Sequence, residues 1–203
     1  MIKLARLMLR RYDAPDYVTF TQADMCKLPL PNASQDWVWS CDCAGYAPYE
    51  PAMILTEFLR ALRPGGIAIL AGWSSQQLLP GHPELEAALN GTESGIAPFP
   101  CGMRPDRHFL RLLGPVHDAG FQNASVRTYV GQVNAPLTPD EHQALISLLD
   151  MRWSEPQDEL DRELVKEYER LCMPTSPDFI LNEPAYYAFF TYSVFRAEKS
   201  ARS

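Results

Sequence analysis

The segment Ala185–Phe195 reads Ala-Tyr-Tyr-Ala-Phe-Phe-Thr-Tyr-Ser-Val-Phe, a long strand pattern that is apolar on both of its alternating faces. Such a strand needs cover above and below, so it must lie inside a sheet and not at its edge. Ile67-Ala68-Ile69-Leu70-Ala71-Gly72 is a second almost continuous apolar run and carries the same requirement. Ala124–Val133 reads as another strand, joined to the last one only through a helical excursion. A chain that must bury two such strands and intersperses them with helices is an α/β protein with helices on the faces of its sheet.

The remaining elements follow from local signals. Tyr17–Gln22 is rich in aromatic and β-branched residues and reads as a strand, and Asp36–Cys41 as a shorter one. Pro51 suits a first helical turn, and Met53, Leu55, Phe58, Leu59 and Leu62 form the apolar face of the helix it opens. Arg63-Pro64-Gly65-Gly66 stops that helix, because proline cannot continue it and glycine permits a tight reversal. A short helix is expected at 83–90 and a longer one near Asp106–Ala119, with Gly114-Pro115 as a kink or break. Thr138-Pro139-Asp140-Glu141 has capping-box spacing, and Ser154-Glu155-Pro156-Gln157 repeats it before Leu160, Leu164, Tyr168 and Leu171. At the other end, Leu4, Leu7 and Met8 alternate with Lys3, Arg6 and Arg10 in an amphipathic opening helix, read as structural and not as a transit peptide. The 203 residues form a single domain, with a helical insertion at about 136–174.

Composition excludes several classes. With 46% apolar and 21% charged residues, the chain can bury an ordinary core and is not intrinsically disordered. Its formal net charge of -7 disfavours bulk binding to nucleic acid or to an anionic membrane. No apolar run is long enough to span a bilayer. Five scattered cysteines fit a reduced, cytoplasmic protein better than a disulfide framework. Cys41-x-Cys43 lacks a second pair at ligand spacing, so no metal site is expected, and the four histidines are scattered.

The stretch Val18–Gly66 carries the chemistry. A strand is followed by Asp24, then by Lys27-Leu28-Pro29-Leu30-Pro31, then by Gln35-Asp36-Trp37-Val38, and then by Glu57-Phe-Leu-Arg60-Ala-Leu-Arg-Pro-Gly-Gly66. In order and spacing this resembles the class I S-adenosylmethionine-dependent methyltransferases, in particular the small-molecule group called methyltransferase type 11. Gln35 stands where that family usually has Phe. The resemblance implies a Rossmann-like sheet of strand order 3-2-1-4-5-7-6 with helices on both faces. It also implies S-adenosyl-L-methionine as cofactor and a small-molecule N, O or C nucleophile as acceptor.

Residue by residue, Asp24 resembles the acid after the family's third strand, whose carboxylate accepts from the adenine amino group, with the Met25 amide reaching a ring nitrogen. Cys41 lies where the fourth strand ends, beside the methionine part of the cofactor. The competing role for Asp24 is to cap its own turn, and for Cys41 to pack as a small buried residue. In open α/β sheets, ligands sit outside the carboxyl ends of the strands, and Asp24, Cys41 and Trp73 all fall at such ends. Tyr46, Tyr49 and Trp73 are candidates to wall a substrate pocket. Glu57 and Arg60 read as scaffold, and no catalytic residue is assigned, because methyl transfer rests on proximity and orientation.

The family's first strand, its G-x-G-x-G turn and its second strand have no counterpart in this sequence, so the first two βα units are expected to be missing. The expected consequences are an unpaired edge on the Trp37–Cys41 strand and impaired cofactor binding, with Val18–Gln22 either pairing directly with that strand, staying detached, or leaving a gap that a second chain fills. A partner chain or self-association at that edge is the matching expectation for assembly. The alternative function is a non-catalytic α/β binding or scaffold protein derived from a methyltransferase.

Overall fold

The last strand of the chain occupies the interior of a four-stranded sheet. The computed structural model describes residues 17–44, 50–99 and 102–201. Its strands are β1 (Gln35–Cys41), β2 (Leu62–Gln77), β3 (Gln122–Asn134) and β4 (Tyr187–Glu198), in the order β1-β2-β4-β3. β1 pairs parallel to β2, whereas β4 runs antiparallel to both β2 and β3. This is the 4-5-7-6 side of the sheet that the resemblance implies. Among the described residues β1 has a neighbour on one side only. Burial follows position: Ala68, Ile69, Leu70 and Ala71 of β2 are buried, while Val126, Tyr129 and Val130 of edge strand β3 are exposed.

Helix α1 (Pro51–Ala61) carries Ile54, Leu55, Phe58 and Ala61 into the core. Met53, expected on that face, is exposed, so the true apolar stripe begins one residue later. With α1 and Leu62, Val116 of α4 (Leu113–Asp118) covers one sheet face, through Ala68, Leu70, Phe195 and Ala197. That helix is shorter than expected. Residues 105–107 and 109–111 form 3-10 turns, and Gly114-Pro115 falls in the first turn of the helix, where the missing proline N–H removes no hydrogen bond.

A second core gathers the helices beyond the far end of β2. It joins Leu85 and Leu89 of α2 (Pro83–Asn90) to Leu145 and Leu149 of α5 (Pro139–Arg152), and to Tyr168 and Leu171 of α6 (Arg162–Cys172). Trp153 and Tyr186 are fully enclosed within it. Burial pushes the Cys172 thiol there up to about 12, so it stays protonated and inert. The short helix α3 (Glu93–Ile96) is capped by Thr92, whose Oγ1 accepts from Gly95 N at 3.1 Å. The Thr138 capping box forms: Thr138 Oγ1 accepts from Glu141 N, and Glu141 Oε2 accepts from Thr138 N at 2.8 Å. The second expected cap does not form at Ser154. Glu155 takes a left-handed φ of 49°, and Asp161 caps α6 by accepting from Glu163 N and Leu164 N.

The opening helix at 1–10 lies outside the described residues. The expected Tyr17–Gln22 strand does not form. Among the described residues, 17–22 join no sheet, and the pairing nearest them is an isolated bridge between Asp24 and Lys27. β-propensity reports fit to a pleated surface, and among the described residues no neighbouring strand offers one.

Glu57 and Arg60 fasten the loop ahead of β1 to α1. Glu57 is buried; it accepts from Leu28 N at 2.6 Å and from Arg60 through both carboxylate oxygens. Arg60 in turn donates to the carbonyls of Leu28 and Leu30 and to Asn32 Oδ1. The Arg60 hydrogen bonds hold the Glu57 carboxyl below its ordinary value of 4.5, outweighing the opposing effect of burial. A lowered folded-state pKa gives stability that is present above pH 4.5 and is lost as pH falls below it. Glu57→Gln is therefore expected to lower the melting temperature at pH 7 by roughly 5 °C or more. The gap to wild type should narrow in melts below pH 4.5, and a gap independent of pH would contradict this role.

Candidate functional site

The carboxyl ends of β1 and β2 meet at Asp42. Its backbone adopts a left-handed φ of 45°, a conformation that aspartate tolerates better than most side chains. Asp42 N donates to Ala71 O at 3.0 Å. Its Oδ1 accepts from Trp73 N at 2.9 Å, and its Oδ2 accepts from Tyr192 Oη at 2.8 Å. One carboxylate just past β1 thus ties that strand's end to Trp73 of β2 and to the middle of β4.

Immediately beyond, β2 carries a bulge. Trp73 pairs with Tyr192 and Ser75 with Thr191, leaving Ser74 extra; its Oγ bonds to Thr191. Side chains alternate along a strand, so residues 73 and 76 would face opposite ways in a regular one. The inserted residue shifts the alternation, and the pairings Trp73–Tyr192 and Gln76–Phe190 put both on one face. The rings confirm it: Trp73 stacks on Phe190 at 5.0 Å and meets Tyr192 edge-on at 5.6 Å.

That face fronts a cleft of about 350 Å³, within the size range of small-molecule sites, whose walls include Trp73, Gln76, Asn90, Phe99, His108 and Arg152. A second cleft of about 360 Å³ shares Trp73 and Arg152 with it and extends to Asp42 and Tyr192. Arg152 donates to Gly95 O at 2.7 Å, fixing α3 against α5. Gln76 Nε2 donates to Asn90 Oδ1 at 3.1 Å, and Trp153 Nε1 donates to the same oxygen at 3.1 Å. Trp73 Nε1 and Gln76 Oε1 are buried without a partner among the described residues. Leaving such an atom unpaired costs about 1–3 kcal/mol.

The three residues expected to hold a cofactor line neither cleft. Asp24 is exposed and closes its own turn, Oδ1 accepting from Cys26 N at 2.8 Å and its carbonyl from Lys27 N at 3.0 Å. Met25 packs against the core under α1, and its Sδ lies 3.3 Å from Cys43 Sγ. This contact brings the Asp24–Lys27 turn to the end of β1. Cys41 is exposed, alternates with buried Ser40, and bonds to Asp42 Oδ2 at 3.5 Å. The Cys41 and Cys43 thiols therefore turn to different neighbours. Tyr46 and Tyr49 lie outside the described residues. Sequence reasoning missed Asp42, Gln76, Asn90 and Arg152. Of these only Asp42 left a signal, as the polar residue directly after the Trp-Val-Trp-Ser-Cys strand.

Residues 1–70 match the family model described as a methyltransferase domain. Over 57 residues the chain is 35% identical to the 2-methyl-6-phytyl-1,4-hydroquinone methyltransferase of a Synechocystis strain, a match covering 28% of this chain and 18% of that protein. The chain thus spans less than a fifth of that curated relative. Two solved structures share the fold, each with a TM-score of 0.50 and each covering 98% of this chain and 78% of their own. One is a Bacillus halodurans protein described as a candidate methyltransferase, 16% identical. The other is the YcgJ protein of Bacillus subtilis, 14% identical. The fold is the Rossmann-like one of methyltransferases, as expected. Among the described residues no helix is long and apolar enough to cross a membrane.

Partial desolvation and then the neighbouring Asp42 carboxylate raise the Cys41 thiol above its ordinary value. Cys41 is thus a protonated thiol at neutral pH and not a nucleophile. Alkylation by iodoacetamide at pH 8, followed by peptide mass spectrometry, should be slower at Cys41 than for free cysteine. Asp42→Asn, which removes the adjacent negative charge, should speed it several-fold. Equal rates in the two proteins would contradict the assignment.

Proposed function

We propose that this chain is the adenine-side and acceptor-side portion of an S-adenosylmethionine-dependent methyltransferase acting on a small molecule with an N, O or C nucleophile. The observation that carries the reading is the β1-β2-β4-β3 order with an antiparallel β4, joined to methyltransferase sequence over residues 1–70. Asp24 and Met25 fit the adenine end of the cofactor. Their turn sits at the carboxyl end of β1, and the second Asp24 carboxylate oxygen takes no part in closing it. Cys41, exposed beside Asp42, fits a place near the sulfonium end. The bound cofactor would supply an electrophilic methyl group. The chain's own contribution is to orient an acceptor in the cleft at Trp73 and to exclude water with α3 and α5 (the helices that Arg152 joins). The relative named as a hydroquinone methyltransferase is consistent with a small-molecule acceptor.

The sequence contains no G-x-G-x-G turn, which in this family cradles the methionine end of the cofactor. Affinity for the cofactor in the 203-residue chain is accordingly weak. A second reading, a non-catalytic scaffold, is favoured by one observation: β1 has an open side among the described residues and exposes Trp37 and Trp39. A partner chain or a second copy could pair there.

Isothermal titration of the purified chain with S-adenosylhomocysteine distinguishes these outcomes. The expected dissociation constant is weaker than about 100 μM, weakening further in Asp24→Ala. A low-micromolar value would refute impaired binding, and no binding at about 10 mM would refute the adenine-side assignment and favour the scaffold.

A further inference from the structure

The bulge in β2 gathers onto one sheet face two residues whose polar atoms have nothing to bond to. Trp73 Nε1 can only donate and Gln76 Oε1 can only accept. Both are buried and unpartnered among the described residues, and both residues wall the same cleft. The other half of the Gln76 amide is committed: Nε2 donates to Asn90 Oδ1, which also receives Trp153 Nε1. That shared acceptor fixes which end of the Gln76 amide is left over, because exchanging its ends would set two acceptors against each other. The Trp73 ring is likewise fixed in its plane by Phe190, which lies so close over Gly131 that a Cβ there would come within 2.5 Å of it.

We propose that this cleft binds a planar aromatic compound bearing a hydroxyl group, which accepts from Trp73 Nε1 and donates to Gln76 Oε1. A hydroxyl is the smallest group that both accepts and donates through one atom. A carboxylate accepts but cannot donate to Gln76, and an ammonium donates but cannot accept from Trp73. A hydroxyl does both. Phe99 and His108, in edge-to-face contact at 4.8 Å, add aromatic wall to the cleft, and Trp73 supplies another, which favours a flat ring over an aliphatic chain. The His108 ring is itself oriented, since Nδ1 accepts from Leu110 N at 3.2 Å, leaving Nε2 as the ring donor in the neutral form. The inference deepens the methyltransferase reading by naming the class of its acceptor, and in that sense rests on it. The hydroxyl anchors the ligand in this account, and the atom that receives the methyl group is left unassigned.

The test is saturation-transfer NMR on the full chain without any cofactor, using 2-naphthol and its methyl ether, 2-methoxynaphthalene, as probes. The ether keeps the ring and the acceptor but loses the donor. 2-Naphthol is expected to bind at least about ten-fold more tightly than the ether, and to lose about five-fold or more in Trp73→Phe and in Gln76→Met. Arg63→Ala, at the opposite end of β2 where Arg63 pairs with Asp36, should leave its affinity unchanged. Should either cleft variant fail to fold, the Trp73 indole N–H resonance of the wild-type protein supplies the answer, since it must shift on adding 2-naphthol. Equal binding of the two probes, or an indole resonance that does not move at saturation, would overturn the proposal. Because no cofactor is present, these results stand apart from the S-adenosylhomocysteine titration, which alone decides the methyl-transfer reading.

Discussion

The pairing of β4 between β2 and β3 is the constraint on which the rest of the structure depends. β4 is the last element of the chain and fills the slot between two strands made much earlier, so the sheet cannot close until the carboxyl-terminal residues are in place. Loop-closure entropy is met before such long-range pairing returns any stabilisation. The return comes from both faces of the strand. Phe195 and Ala197 join the core under α1, Ala188 joins the helical core, and Phe190 and Tyr192 fix the Trp73 ring.

The site is a by-product of how β1, β2 and β4 end. A parallel pair delivers the carboxyl ends of β1 and β2 to the same side, where open α/β sheets bind their ligands. Asp42 then locks the end of β1 to β2 and β4 through Trp73 N and Tyr192 Oη, in a left-handed backbone conformation that aspartate tolerates. The bulge at Ser74 completes the arrangement by turning Gln76 to the side of Trp73. Lock and bulge lie within hydrogen-bonding reach of one another, so the shape of the cleft and the integrity of the sheet end are coupled.

Much of the fold was legible in the sequence. The two-faced apolar pattern at 185–195 required an interior strand, Arg63-Pro64 marked the end of α1, although Pro64-Gly65-Gly66 lie within β2 and not in a turn, and Thr138 with Glu141 announced a capping box. These signals are local, or depend only on burial. What failed depended on neighbours. Tyr17–Gln22 has the residues of a strand but no partner among the described residues, and Ser154 was a cap by spacing while Asp161 holds the actual orphan amides. The cleft was least legible. Nothing in Trp73-Ser-Ser-Gln76 announces a bulge, and without it the two residues would be read onto opposite faces. Asn90 and Arg152 reach the cleft only through the packing of α2 and α5, which no local pattern encodes.

The exposed tryptophans of β1 and the turn at Asp24 stand on the same question, namely whether the carboxyl end of this edge strand is where a nucleoside docks. Backbone amide NMR of the isotopically labelled chain during addition of S-adenosylhomocysteine answers it most directly. This account predicts shifts concentrated at residues 24–26 and 41–43, with smaller ones reaching Trp73 through Asp42. Shifts confined to β3 or to the helices at 139–172, with residues 24–26 and 41–43 unmoved at saturation, would contradict it.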